Sequence, residues 1–285
     1  MNEENYRVTG KVQIKDYETK VVLEDAKKHL KKVRKKIAKI QNAMYAHGKY
    51  SVLICFQGMD TAGKDSLIRE VFKSFNTRGI NVSSFKTPSE AELDHDFMWR
   101  HYLRLPPRGR FGIFNRTHYE NVLVTRVHPE YILGENIPGV DDVNKIDDDF
   151  FHRRMEHINN FESHWAENGT IIFKFFLNLS KDEQKNRLLR RLDLEEKNWK
   201  FSAGDLKERE LWDKYMYCYE DMLNRTSKSH APWYVIPADD KASARLLVAE
   251  IILDKLREYK DIEEPELDAK TKQNLDKYKN MLKSE

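Results

Sequence analysis

Two cysteines in 285 residues, Cys55 and Cys218, exclude a disulfide framework and a four-cysteine zinc site. No His/Cys cluster has metal-ligand spacing, and no segment repeats. No apolar run approaches the roughly 18 residues that a membrane-spanning helix requires. The opening Met-Asn-Glu-Glu-Asn-Tyr holds no basic stretch followed by an apolar one, so no secretory leader and a cytoplasmic place are expected. A large net charge is missing too, with 50 Lys+Arg against 47 Asp+Glu. Hydrophobic residues reach 40%, enough to offset ordering entropy in a sizeable core and to exclude a disordered chain. The length suits one large α/β domain or two small ones.

The near-neutral total conceals segregation. Ala26–Lys49 carries nine Lys/Arg and no acid, Trp99–Arg126 carries +5 and Lys185–Lys200 carries +3. Acids gather in Glu135–Asp149 and Asp261–Asp268, each at −5. Such local fields suit a channel for a polyanion.

Leu23, Ala26, Leu30, Val33, Ile37, Ile40 and Met44 recur at helical spacing, which predicts one long amphipathic helix over 16–47. It is either docked to the core or paired with another subunit. From Ser51 the pattern turns to strands alternating with helices. Strands are expected at Ser51–Gln57, Ile80–Lys86, Arg110–Asn115, Thr170–Asn178 and Trp233–Pro237. Helices are expected at Lys64–Asn76, Ser89–Leu103, Thr117–Val127, Asp149–Asn168, Lys181–Leu194, Asp205–Thr226 and Lys241–Tyr259. The alternation implies a three-layer α/β fold with a central parallel sheet. Val127–Asp148 reads as a surface loop, and the tail after Lys260 as polar with one more short helix. The expected division is an N-terminal extension with the basic helix (1–48), a core (49–260) with a lid at about 185–205, and a polar tail (261–285).

Gly58-Met59-Asp60-Thr61-Ala62-Gly63-Lys64-Asp65-Ser66 follows a strand and opens a helix. In that context GxxxxGK is a phosphate-binding loop. Its glycines allow a turn whose N–H groups point inward, the helix N-terminus adds partial positive charge, and Lys64 supplies an ammonium. Asp65 stands where Ser or Thr would hold Mg²⁺. It is either a helper behind the metal or a first-turn residue favoured by the helix dipole. Asp60 places a carboxylate beside phosphates it should repel, which makes sense if it holds Mg²⁺ or orients the acceptor as a base.

The strand Arg110–Asn115 ends on Asn115 where an acid is usual, so a neutral ligand is the most it offers. Arg116 follows at the carboxyl edge, where open α/β sheets bind ligands. His118 reads as a capping or packing histidine, Glu120 as one of the nucleotide- or phosphate-binding residues and Cys55 as inert. Arg187 and Arg191, four apart, share a helix face fitted to clamp phosphates.

Together the loop GMDTAGKDS, the stretch IFNRTHYENVLVTRV, the segment FKFFLNLSKDEQKNRLLRRLDLEEKNWKFSAGDLKER and the late APWYVIPADDK resemble the polyphosphate kinase 2 family from about Tyr50 to Lys260. The resemblance implies a P-loop kinase core with a helical lid. It implies reversible transfer of the terminal phosphoryl of inorganic polyphosphate to nucleotides with Mg²⁺, or Mn²⁺ in its place. The Asn-Arg-Thr-His-Tyr-Glu form and Gln57 are similar to the subclass that phosphorylates both AMP and ADP, giving ADP and ATP, with guanine nucleotides as further candidates. By the same resemblance Asp60 and Lys64 sit at the reacting phosphates and Arg116 and Arg126 neutralise charge. Arg187 and Arg191 act from the lid, Lys197 and Lys200 line the polyphosphate path, and Lys86 is a further phosphate candidate. A homo-oligomer, dimer or tetramer, is expected, without nucleic acid or membrane as partner. Two other readings stand beside it: a kinase using ATP as donor, and a polyanion-binding protein without turnover.

Overall fold

The computed structural model describes residues 3–199 and 201–285. Five strands form one parallel sheet: β1 (Ser51–Gln57), β2 (Ile80–Ser84), β3 (Phe111–Asn115), β4 (Thr170–Asn178) and β5 (Trp233–Pro237). Their spatial order is β2-β3-β1-β4-β5, with Ile54 of β1 in register with Ile113 and Phe173. Helices of eight residues or more among those described are α1 (Ala26–His47), α2 (Lys64–Val71), α3 (Asp148–Glu167), α4 (Lys181–Asp193), α5 (Ala203–Glu210), α6 (Trp212–Thr226), α7 (Lys241–Leu256) and α8 (Leu275–Lys283). None is long and apolar enough to cross a membrane.

β1 is buried along its whole length because both faces are covered. Val52, Ile54 and Phe56 meet Leu30, Ile37, Leu67 and Leu247 from α1, α2 and α7. Leu53 and Cys55 face Ile158, Met222 and Leu223 from α3 and α6. Burial raises the Cys55 thiol well above its ordinary pKa, so it stays protonated and unreactive.

The strands occur where they are expected, with β2 ending at Ser84 and β3 beginning at Phe111, but several helices are shorter than periodicity predicts. The helix expected over 16–47 begins at Ala26, after Asp25 in a left-handed conformation. Leu23 is tied from outside the helix, its N–H donating to Ser243 Oγ, and Thr19 bonds Asp239. Those bonds draw the preceding segment toward the β5–α7 turn. The helix expected over Lys64–Asn76 ends at Val71, because Phe72 and Phe75 turn into the core and Asn76 is bonded by Gln41 of α1. Ser89–Leu103 splits into Glu90–Leu93, closed by a Ser89/Glu92 capping box, and Trp99–Tyr102. Thr117–Val127 is a 3₁₀ turn followed by one helical turn, and Asp205–Thr226 is broken at Leu211. The expected loop 127–148 contains two 3₁₀ segments, and the tail holds two helices, Ala269–Gln273 and α8.

A charge sits inside the apolar run of β4. Lys174 is fully buried and donates to Glu162 of α3 (2.6 Å), Tyr119 Oη (2.8 Å) and the Thr226 carbonyl (2.7 Å). Glu162 also accepts from Tyr119 and meets His118 Nε2 at 3.1 Å. Lys174, Glu162 and the Tyr119 hydroxyl are each held by partners, without which their burial would be prohibitive. Lys174→Met should lower unfolding free energy by about 3 kcal/mol by stranding the Glu162 carboxylate. Urea unfolding checks it; a midpoint equal to wild type would show that the pair does not hold the fold.

Candidate active site

The chain turns sharply after β1. Gly58 has φ 152°, and a Cβ there would stand 3.0 Å from the Leu177 carbonyl of β4, so glycine is required. Thr61 and Gly63 are also left-handed, and Gly63 caps α2. Lys64, first in α2, folds back so that its ammonium donates to the carbonyls of Gly58 (2.6 Å) and Met59 (3.4 Å). Ala62 is buried under the loop, and the Ser66 hydroxyl donates to the Gly63 carbonyl. Burial lowers the Lys64 pKa, with the Asp60 carboxylate opposing it.

The neighbouring strand ends bring the remaining groups. Arg116, just past β3, is a non-glycine residue at φ 57°, a conformation that costs about 1 kcal/mol and aims its side chain back across the sheet edge. Its Nη2 donates to Asp60 Oδ1 at 3.1 Å. Burial lowers its pKa, but Glu120 and Asp60 outweigh that and raise it, so the guanidinium remains charged. Glu120 is raised by burial against the pull of Arg116 and Lys64, and is hydrogen-bonded by Gln57. Asn115 donates to Asp65 Oδ1 at 2.5 Å. Sequence reading treated those two separately; the fold makes them partners, with the acid on the helix and the amide on the strand.

Asp60, Lys64, Asp65, Arg116 and Glu120 thus form one electrostatic group. No cluster of three His, Cys, Asp or Glu residues that could enclose a metal ion occurs among the described residues. Asp60 and Asp65 nonetheless fit Mg²⁺, which commonly takes one or two carboxylates and completes its shell with water and substrate phosphates.

Arg187 departs from its expected place as a phosphate clamp. It is buried, and its five N–H groups meet protein oxygens: Nε donates to Glu183 (2.7 Å), Nη1 to the Thr61 and Ala62 carbonyls, and Nη2 to those of Ala238 and Asp239. It braces the loop from behind, while Gln184 of the same helix donates to the Asp60 carbonyl. Arg126, expected to neutralise phosphate charge, is buried against Asp221 (2.7 Å) and Asp148 (2.6 Å). Arg191, on the same helix, is partly exposed and pairs with Asp205 at 2.9 Å. Lys86 is exposed beyond β2, its carbonyl held by Arg100. Lys197 stands on the short helix Glu195–Asn198 near Glu196, and Lys200 lies outside the described residues.

Two groups escaped sequence reasoning. Asp205 on α5 has its carboxyl pKa raised by burial and then by Asp60, which places it in the field of the loop. Tyr219 on α6 is raised by burial, then by Glu120 and Asp60. No local pattern marks either, since both reach the site through packing of distant helices.

The chain matches the family model described as polyphosphate kinase 2 over residues 20–265. It is 49% identical over 225 residues to the ADP-polyphosphate phosphotransferase of Rhodopseudomonas palustris, covering 79% of this chain and 77% of that one. It is 43% identical to the AMP/ADP-polyphosphate phosphotransferase of Meiothermus ruber, covering 79% and 78%. The crystal structure of Polyphosphate Kinase 2 from Arthrobacter aurescens TC1 superposes with a TM-score of 0.85 at 36% identity, covering 93% of this chain and 92% of that one.

Arg187→Lys should lower stability by about 3 kcal/mol, because three ammonium donors cannot serve five acceptors. Urea unfolding measures this, and an unaltered midpoint would mean that the brace carries no load.

Proposed function

The chain belongs to the polyphosphate kinase 2 family, and on that premise we propose that it transfers the terminal phosphoryl group of inorganic polyphosphate reversibly to AMP and to ADP. The observation that carries this reading is the loop itself, with Lys64 in the field of Asp60, Glu120 and Asp65 and Arg116 held on Asp60.

Phosphoryl transfer asks of the protein alignment and neutralisation of oxygens rather than covalent help. An oxygen of the acceptor phosphate attacks the terminal polyphosphate phosphorus in line, the P–O bond to the next phosphate breaks, and the chain leaves one phosphate shorter, without a phosphoenzyme. Lys64 leaves its loop carbonyls to meet the transferring phosphoryl, and Arg116 neutralises the charge that builds on its oxygens. Asp60 and Asp65 would hold Mg²⁺, or Mn²⁺ in its place, which supplies Lewis-acid neutralisation of the phosphates when bound. The acceptor phosphate is ionised at neutral pH, so no strong base is needed. His118 fits that logic: it is fully buried, burial lowers its pKa, and its partner is Glu162. Guanine nucleotides as acceptors and a homo-oligomeric state belong to the same proposal and rest on the sequence resemblance; a cytoplasmic location is proposed with them.

Lys64→Ala should lower kcat on the order of 10²- to 10³-fold while far-UV circular dichroism stays that of wild type; near-normal turnover would remove the loop from the chemistry. With AMP and polyphosphate, ADP should appear before ATP, and chelation of divalent cations should stop both. Turnover from ATP alone, with polyphosphate inert, would reverse the choice of donor.

A further inference from the structure

The basic helix α1 takes no part in the site described above, yet its charge pattern is costly. Lys27, Lys31, Lys35 and Lys39 repeat at i, i+4, as do Lys28, Lys32 and Lys36. Like charges at that spacing destabilise a helix by about 0.2–0.5 kcal/mol per pair. The buried stripe Leu30, Val33, Ile37 and Met44 occupies the opposite face, and all seven lysines are exposed. Lys28 lies 3.6 Å from Asp25, while the other six make no ion pair among the described residues. A solvated face needs no such one-sided composition.

The ladder starts at the edge of the sheet that carries the loop. The segment leading into α1 is bonded to Ser243 and Asp239, beside the carbonyls gripped by Arg187. Between loop and ladder lies a second group of cations. Lys241 and Arg245 of α7 line a shallow cleft with Gly63 and Ser66. Burial first, and then the adjacent Arg187 and Arg190, lower the Lys241 ammonium to about 8. Arg245 Nε is buried without a hydrogen-bond partner. The acids facing these two residues are already engaged: Glu70 by Arg34 and Arg69, Asp240 as the cap of α7, and Glu183 by Arg187. Arg34 of α1 reaches the Glu70 carbonyl at 3.1 Å, joining the cleft to the ladder.

We propose that Lys241, Arg245 and the lysine ladder of α1 form a track that holds the distal part of a long polyphosphate chain whose end is at the loop. The inference rests on polyphosphate being the substrate. A flexible polyanion suits the feature, because successive turns of α1 offer an ammonium about every 6 Å along one face. Held along that face, a long donor returns to the loop after each transfer, whereas a short one never reaches α1.

The test uses the full chain carrying Lys31→Gln, Lys35→Gln and Lys39→Gln together. Glutamine keeps helix propensity and removes the repulsion, so the melting temperature should not fall. KM for long-chain polyphosphate should rise about tenfold, and the dependence of its logarithm on log salt should weaken by about 2. KM for a short oligophosphate and kcat for either donor should match wild type. Equal shifts for long and short donors, or none, would overturn the track and leave the family activity standing. Loss of single-stranded nucleic acid retention with unchanged KM values would also overturn it, assigning the ladder to nucleic acid. A wild-type chain that turns over neither donor would sink the activity and the track with it.

Discussion

The buried guanidinium of Arg187 is the constraint on which the site depends. It ties the phosphate-binding loop, through the Thr61 and Ala62 carbonyls, to the end of β5, through Ala238 and Asp239. A loop that points its N–H groups at phosphates must turn carbonyls backward, and backward-facing carbonyls need donors. A planar fork with five N–H groups satisfies two loop carbonyls, two carbonyls beyond β5 and a carboxylate at once. The loop thereby holds a left-handed Thr61 and Gly63 against the end of β5.

A second buried polar assembly supports the opposite strand end. Lys174, Glu162, Tyr119 and His118 interlock behind β3, and Thr117 bridges them to the loop by accepting from Gln57 and from the Tyr119 N–H. The left-handed Arg116 stands between this assembly and Asp60. Its strain persists because both flanks are over-determined. Rigid backing with a polar mouth suits a reaction that needs fixed charge more than moving groups.

Much of the fold was legible. All five strands lie where they are expected: four are buried and read as largely apolar runs, since a strand buried on both faces leaves a local pattern, whereas the edge strand β2 is mostly exposed. Helix ends were less legible. Phe72 and Phe75 extend the apolar period beyond Val71, but they serve the core as a turn rather than a helix. Leu23 fits the helical stripe yet packs from extended chain, because hydrogen bonds to residues 220 positions away outweigh local propensity. Arg187 and Arg191 look alike on one helix face; only burial distinguishes a brace from a partly exposed residue.

The amino-acid sequence by itself determined the parallel α/β class, the loop with Lys64 and Asp60, Arg116 at the sheet edge, and the segregated basic segments. Each depends on neighbours within a few residues, where spacing dictates geometry. Tertiary structure alone decided the Asn115–Asp65 partnership, the engagement of Arg126 with Asp148 and Asp221, and the entry of Asp205 and Tyr219 into the field of the loop. It also decided that six of the seven α1 lysines stand exposed without an ion pair among the described residues. Those outcomes hinge on which distant carboxylates reach which cations once the layers pack, and one-dimensional spacing carries no record of that.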